Sequence, residues 1–117
     1  MFLEICSQTK CEPVFIHDRP HDSGHAIYDG IDLYICCSTV EGCNLGIPEA
    51  AAAGVPVIST DVGCKSRLQK LRTFTTVDEA VAMIQEFRKN AKSLVTYTRD
   101  LQLEVLKEFS WVRILYR

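Results

Sequence analysis

Two carboxylates, Glu41 and Glu49, are separated by seven residues in the stretch Glu41-Gly-Cys-Asn-Leu-Gly-Ile-Pro-Glu49. Gly42, Gly46 and Pro48 oppose one continuous helix through this stretch. Glu41 is therefore expected on a loop, and Glu49 in the first turn of a helix that Pro48 opens. A loop that follows a strand and leads into a helix is, in an open α/β sheet, where ligands bind beyond the carboxyl ends of the strands. Backbone N–H groups around Leu45, Gly46 and Ile47 at such a helix start make a diphosphate site without any basic side chain. Glu49 then accepts two hydrogen bonds from a vicinal diol such as a ribose, each worth about 1.5–3 kcal/mol. Glu41 reaches whatever lies beyond the phosphates.

Other residues of chemical type read less sharply. His17, His21 and His25 recur at every fourth position and, with Cys6 and Cys11, outline a zinc set. Pro20 and Gly24 keep one helix from presenting all three histidines, and Cys-x4-Cys is not a structural zinc spacing, so a loop is the simpler reading. An alternative expectation is that His17 and Asp18, directly after a strand, border a nucleotide-base pocket. Cys6, Cys11, Cys36, Cys37, Cys43 and Cys64 include no Cys-x-x-Cys pair. Cys36 and Cys37 lie in an apolar run that reads as a buried strand, which favours reduced thiols over disulfides. Asp32 reads as a strand-entry residue, and Tyr28 and Trp111 as core. Lys10, Arg19, Lys65 and Arg67 are the available cations, and none is assigned as a clamp for a leaving phosphate.

The elements that must position the carboxylates follow from pattern. Residues 13–17, 32–37 and 56–60 are short, uniformly apolar runs, as parallel strands covered on both faces are. Helix-like stretches at 22–30 and 48–54 separate them, giving βαβ units and a right-handed parallel sheet. In the second helix Pro48 suits the first position, Glu49 the positive end and Gly54 the C′ position. The alanines at 50–53 let that helix lie close on a sheet. After an apolar patch at 73–77 the chain reads helical to its end. Thr76 with Glu79 makes a capping box, followed by Ala80, Val81, Ile84 and Phe87 at helical spacing. Asn90 stops that helix, and the next carries Leu94, Tyr97, Leu101, Val105 and Phe109 on one side. Ser110 caps a last segment, 111–117.

With the strand, loop, helix and strand in place, the stretch Asp32-Leu-Tyr-Ile-Cys-Cys-Ser-Thr-Val-Glu-Gly-Cys-Asn-Leu-Gly-Ile-Pro-Glu-Ala-Ala-Ala-Ala-Gly-Val-Pro-Val-Ile-Ser-Thr60 resembles the signature of group 1 retaining glycosyltransferases. In that family a strand with Asp leads to Ser-x-x-Glu-Gly, a second Glu opens an alanine-rich helix, and Gly-x-Pro-Val-Ile follows. The likeness runs from Tyr28 to Phe109-Ser-Trp111, similar to the family's Phe-Ser-Trp. It implies a GT-B fold of two Rossmann-like domains, nucleotide sugar on the C-terminal one and acceptor on the N-terminal one. Residues 1–117 would be a single, truncated donor-binding domain: a Rossmann-like partial parallel sheet flanked by helices, with a helical C-terminus.

The resemblance also assigns roles. Glu49 holds the ribose hydroxyls. Glu41, as the catalytic carboxylate, contacts the donor sugar with the backbone of Gly42, Cys43 and Asn44, while Leu45 and Gly46 contact the diphosphate. It implies no metal and no cofactor, only a UDP- or GDP-linked sugar as substrate, and front-face displacement that retains anomeric configuration. The chain departs from the family at Cys43-Asn44, where Phe-Gly is usual, and at Gly46, where Pro is. It has no counterpart of the upstream Arg/Lys pair. A separate chain supplying the acceptor domain is an expected partner. Two other classes stay open: a non-catalytic nucleotide- or partner-binding remnant, and another GT-B enzyme such as a sugar-nucleotide epimerase.

Composition sets the outer bounds. A chain of 117 residues implies one core, burying roughly two-thirds of the surface exposed when unfolded. At 47% hydrophobic and 24% charged it is an ordinary globular chain. A net charge of −2 provides no footprint for nucleic acid or anionic lipid. The apolar runs are far short of the ~20 residues that span a bilayer. Met-Phe-Leu-Glu lacks a basic leader, so a soluble, cytoplasmic protein is expected. Exposed strand edges favour a homodimer.

Overall fold

Val57–Thr60 is the most buried strand among the described residues: Val57, Ile58 and Ser59 are fully enclosed and Thr60 is half-buried. A strand with no exposed face must be central, and it is. The computed structural model describes residues 1–14, 28, 30–37, 46–60, 65 and 67–109. In chain order these form α1 (Phe2–Thr9), β1 (Tyr34–Cys36), α2 (Gly46–Ala52), β2 (Val57–Thr60), β3 (Arg72–Phe74), α3 (Val77–Lys89) and α4 (Ala91–Glu108). The strands run parallel in the order β1-β2-β3. Tyr34 pairs with Val57 and Cys36 with Ser59 on one side, and Ile58 with Arg72 and Thr60 with Phe74 on the other. The parallel α/β class expected from the apolar runs is the observed one, and it is consistent with the partial Rossmann-like sheet that the resemblance implies.

α2 packs on β1, β2 and α4 through Ile47, Pro48, Ala50, Ala51 and Ala52, all buried. Small side chains set the close approach that the alanine run predicts. The helix stops where glycine permits it. Gly54 has φ +84°, its N–H donates to the Ala51 carbonyl at 3.0 Å, and the Val55 N–H donates to the Ala50 carbonyl at 3.0 Å. This is the paired 5→2 and 6→1 pattern of a Schellman cap. The helix begins at Gly46, two residues before the expected Pro48. The first N–H groups of a helix have no intrahelical acceptor, so proline is tolerated anywhere in the first turn and does not mark its start.

α3 opens on the predicted box. The Thr76 side chain accepts from the Glu79 N–H at 3.2 Å, and the Glu79 carboxylate accepts from Thr75 Oγ1 at 2.8 Å and Thr76 Oγ1 at 3.2 Å. The Thr75 hydrogen bond is the foremost cause that holds the Glu79 carboxyl below its ordinary value. Asn90 ends α3 and also caps α4, its Oδ1 accepting from the Ser93 N–H at 3.0 Å. Ala80, Ile84 and Phe87 from α3 and Tyr97, Leu101, Val105 and Phe109 from α4 and its end enter the core. Each fully buried Leu, Ile or Phe contributes on the order of 1.5–3 kcal/mol.

Two elements were not expected. α1 packs on α3 with Ile5, Cys6 and Thr9 buried, and the Arg88 guanidinium of α3 donates to the Thr9 carbonyl. β3 occupies the patch read only as apolar. The expected strand at 13–17 is not supported at its first two residues: Pro13 and Val14 have no regular structure and Val14 is exposed. Residues 15–17, most of the expected helix at 22–30 and the segment 111–117 lie outside the described residues. Cys6, Cys11, Cys36 and Cys37 are thiols, not disulfides. Among the described residues no helix is long and apolar enough to cross a membrane.

Candidate functional site

α2 follows β1 in the chain, and Glu49 stands in its first turn, half-buried beside the buried Pro48 and Ala50. The Tyr28 hydroxyl donates to Glu49 Oε2 at 3.2 Å. Tyr28 itself is 7% exposed, and its ring meets Tyr34 of β1 edge-on, with centroids 6.3 Å apart and planes at 64°. The Tyr28 carbonyl accepts from the Ile31 N–H at 3.2 Å. The sequence placed Tyr28 in the core, and it is there, but it is also tied to the carboxylate that the motif singles out. Nothing in its spacing signalled this. The only available hint was its position ahead of the Asp32 strand within the family likeness.

Of the other expected site residues, Gly46 is the first residue of α2. Glu41, Gly42, Cys43, Asn44 and Leu45 lie outside the described residues, as do His17, Asp18, His21 and His25. Among the described residues no group of three or more His, Cys, Asp or Glu side chains is placed to hold a metal ion.

Two of the four candidate cations, Lys65 and Arg67, are engaged elsewhere. Lys65 Nζ donates to the carbonyls of Gln69 at 2.9 Å and Leu71 at 2.7 Å, tying down the approach to β3. Arg67 Nη2 donates to the Glu108 carbonyl at 3.1 Å, and its guanidinium lies 4.1 Å from the Phe109 ring centroid. Both charges serve the end of α4 or the loop before β3. Lys10 lies at the end of α1 in the left-handed conformation, φ 58°, and Arg19 is outside the described residues.

Cys37, one residue past β1, is half-buried. Burial first, and then the neighbouring Cys36 thiol, push its thiol above the ordinary value. Both causes disfavour the thiolate, which is the nucleophilic form. A cleft of about 720 Å³ opens elsewhere, between α1, α3 and the amino end of β1, lined by Cys6, Cys11, Ile31, Leu33, Ile84 and Arg88 among others. Glu49 does not line it. That cleft therefore does not hold the Glu49 carboxylate.

The family model described as Glycosyl transferases group 1 matches residues 5–96, a span that takes in the later part of α1, β1, β2, β3, α2, α3 and the start of α4. No curated protein and no solved structure matches the chain. A match over most of the chain, with Glu49 inside it, settles its kinship: the chain belongs to the group 1 glycosyl transferases.

Proposed function

We propose that the chain is the donor-binding part of a retaining glycosyltransferase of GT-B architecture, which takes a UDP- or GDP-linked sugar and delivers the sugar to an acceptor held by another domain or chain. The observation that carries this reading is Glu49, a half-buried carboxylate in the first turn of the helix after β1, held by the Tyr28 hydroxyl. An oriented carboxylate at that place suits a ribose diol. The backbone of Leu45 and Gly46 would contact the diphosphate. Glu41, with Gly42, Cys43 and Asn44, would face the sugar. Departure of the nucleoside diphosphate on the same face as acceptor attack retains configuration, and stabilising the charge on the leaving diphosphate is the main demand on the protein. With Lys65 and Arg67 engaged on backbone carbonyls, cationic help for that charge would come from an acceptor-bearing partner. A cytoplasmic location and a homodimer joined through sheet edges complete the proposal.

The test is a titration of isotope-labelled protein with UDP and with GDP, following backbone amide signals. Signals of residues 41–49 shift on binding, and Glu49→Ala weakens binding at least tenfold through loss of hydrogen bonds to a charged acceptor. Absence of any shift at millimolar nucleotide, with the protein demonstrably folded, rules out a donor site in this chain.

A further inference from the structure

We infer that Tyr28 is a positioning residue for Glu49, and that its hydroxyl sets the carboxylate so that the site selects a nucleoside diphosphate bearing both ribose hydroxyls over its deoxy analogues. The inference rests on the donor-site reading of Glu49.

A glutamate in the first turn of a helix has three side-chain torsions, and the last of them, which sets the carboxylate plane, is broad and weakly preferred. Left alone, it presents its lone pairs to a diol in only a fraction of its conformations, and ordering it on binding costs side-chain entropy. The Tyr28 hydroxyl, 3.2 Å from Oε2, removes much of that freedom in advance. Tyrosine suits the task because it has two torsions and a rigid ring. Here the ring is buried, 7% exposed, and set against Tyr34 at a 64° angle. Tyr34 is paired to Val57 in the sheet. Position passes from sheet to ring, from ring to hydroxyl, and from hydroxyl to carboxylate. An ionised carboxylate has about four acceptor positions, so donation by Tyr28 to Oε2 leaves both positions on Oε1 and one on Oε2 for the two donors of a vicinal diol.

The simpler alternative is that a buried tyrosine hydroxyl merely finds an acceptor. That alternative predicts a change in stability and none in ligand preference, so the two part at one measurement. Dissociation constants of UDP, GDP and their 2′,3′-dideoxy analogues are compared for wild type, Tyr28→Phe and Glu49→Gln. Wild type favours the ribose forms by roughly tenfold or more, as loss of hydrogen bonds to a charged group requires. Tyr28→Phe weakens binding of the ribose forms roughly three- to tenfold and leaves the dideoxy forms unchanged, so the preference shrinks. Glu49→Gln loses most of the preference, and adding Tyr28→Phe to it changes nothing further.

If Tyr28→Phe keeps the wild-type preference, the positioning role is overturned while the donor site stands. If wild type binds no nucleotide, or binds ribose and dideoxy forms equally, the donor-site reading fails and the inference with it. Should Tyr28→Phe not fold, Glu49→Asp draws the carboxylate back from the Tyr28 hydroxyl while keeping its charge. The preference is then expected to fall as in Tyr28→Phe, and its retention overturns the inference.

Discussion

The Tyr97 hydroxyl donates to the buried Val57 carbonyl at 2.5 Å and accepts from the Arg72 N–H at 2.9 Å, joining the amino ends of β2 and β3. Its ring stacks on Phe87, centroids 5.6 Å apart at 18°, and the Arg72 guanidinium lies 5.0 Å from its centroid. Burial is the chief cause that pushes this phenol up to about 12 from an ordinary 10.0. The folded protein thus holds the proton more tightly than the unfolded chain does. The stabilisation is fully present below pH ~10 and is lost as pH rises from there toward ~12, a loss of about 2–3 kcal/mol. Tyr97→Phe is expected to cost about 1–3 kcal/mol at neutral pH, since it strands a buried carbonyl and a strand amide. It should also flatten the alkaline decline; urea midpoints at pH 7 and across pH 9–12 check both. Spacing in the sequence put Tyr97 on the buried side of its helix, which is correct. Hydrophobic spacing has no term for a hydroxyl, so neither this bridge nor the one from Tyr28 to Glu49 was legible. Glu49 itself was legible, because Pro48, the alanines and Gly54 announce the helix that carries it.

α2 is held at its far end by one glycine. At φ +84° an L side chain is strained, yet a Cβ on Gly54 would meet nothing nearer than Gln102 Nε2 at 3.8 Å. Gly54→Ala should therefore cost about 1–2 kcal/mol from backbone conformation alone, read as a lower thermal midpoint, with any nucleotide affinity of the folded protein unchanged. A larger loss would mean that the substitution disturbs packing as well. The end of α2, the Thr76 box and the Asn90 junction were all readable because each rests on a residue with special backbone or capping chemistry. α1 lacked such marks. It ends in a left-handed Lys10 rather than a glycine, and its eight residues are too few for a strong period. β3 is a three-residue strand that begins with Arg72 and is apolar only at Phe74, so alternation had no room to show.

For the molecule as a whole, the parallel α/β layering was legible because uniformly apolar runs separated by helical stretches admit few other arrangements. What pattern reading missed is how the last helix is fastened to everything before it. Gln102 Nε2 donates to the Ala52 carbonyl at 2.8 Å, Glu104 Oε1 accepts from the Lys70 N–H at 2.9 Å, and Arg67 caps the Glu108 carbonyl. With Tyr97, α4 thereby reaches α2, β2 and the approach to β3 by hydrogen bonds as well as by Leu101 and Val105, both fully buried. Leu101→Ala should cost about 2–5 kcal/mol, and backbone and aromatic circular dichroism should report it as one coincident transition. This fastening also bears on time. The partners of α4 lie 25 to 50 residues away along the chain, whereas α3 and α4 adjoin at Asn90 and need close almost no loop. Closing long loops precedes the reward of the contacts they bring. The helical pair is thus expected to form early and its clamp on the strands to close last. Kinetically, α4 is a latch: Leu101→Ala should steepen escape from the native state, raising the unfolding rate far more than it slows refolding.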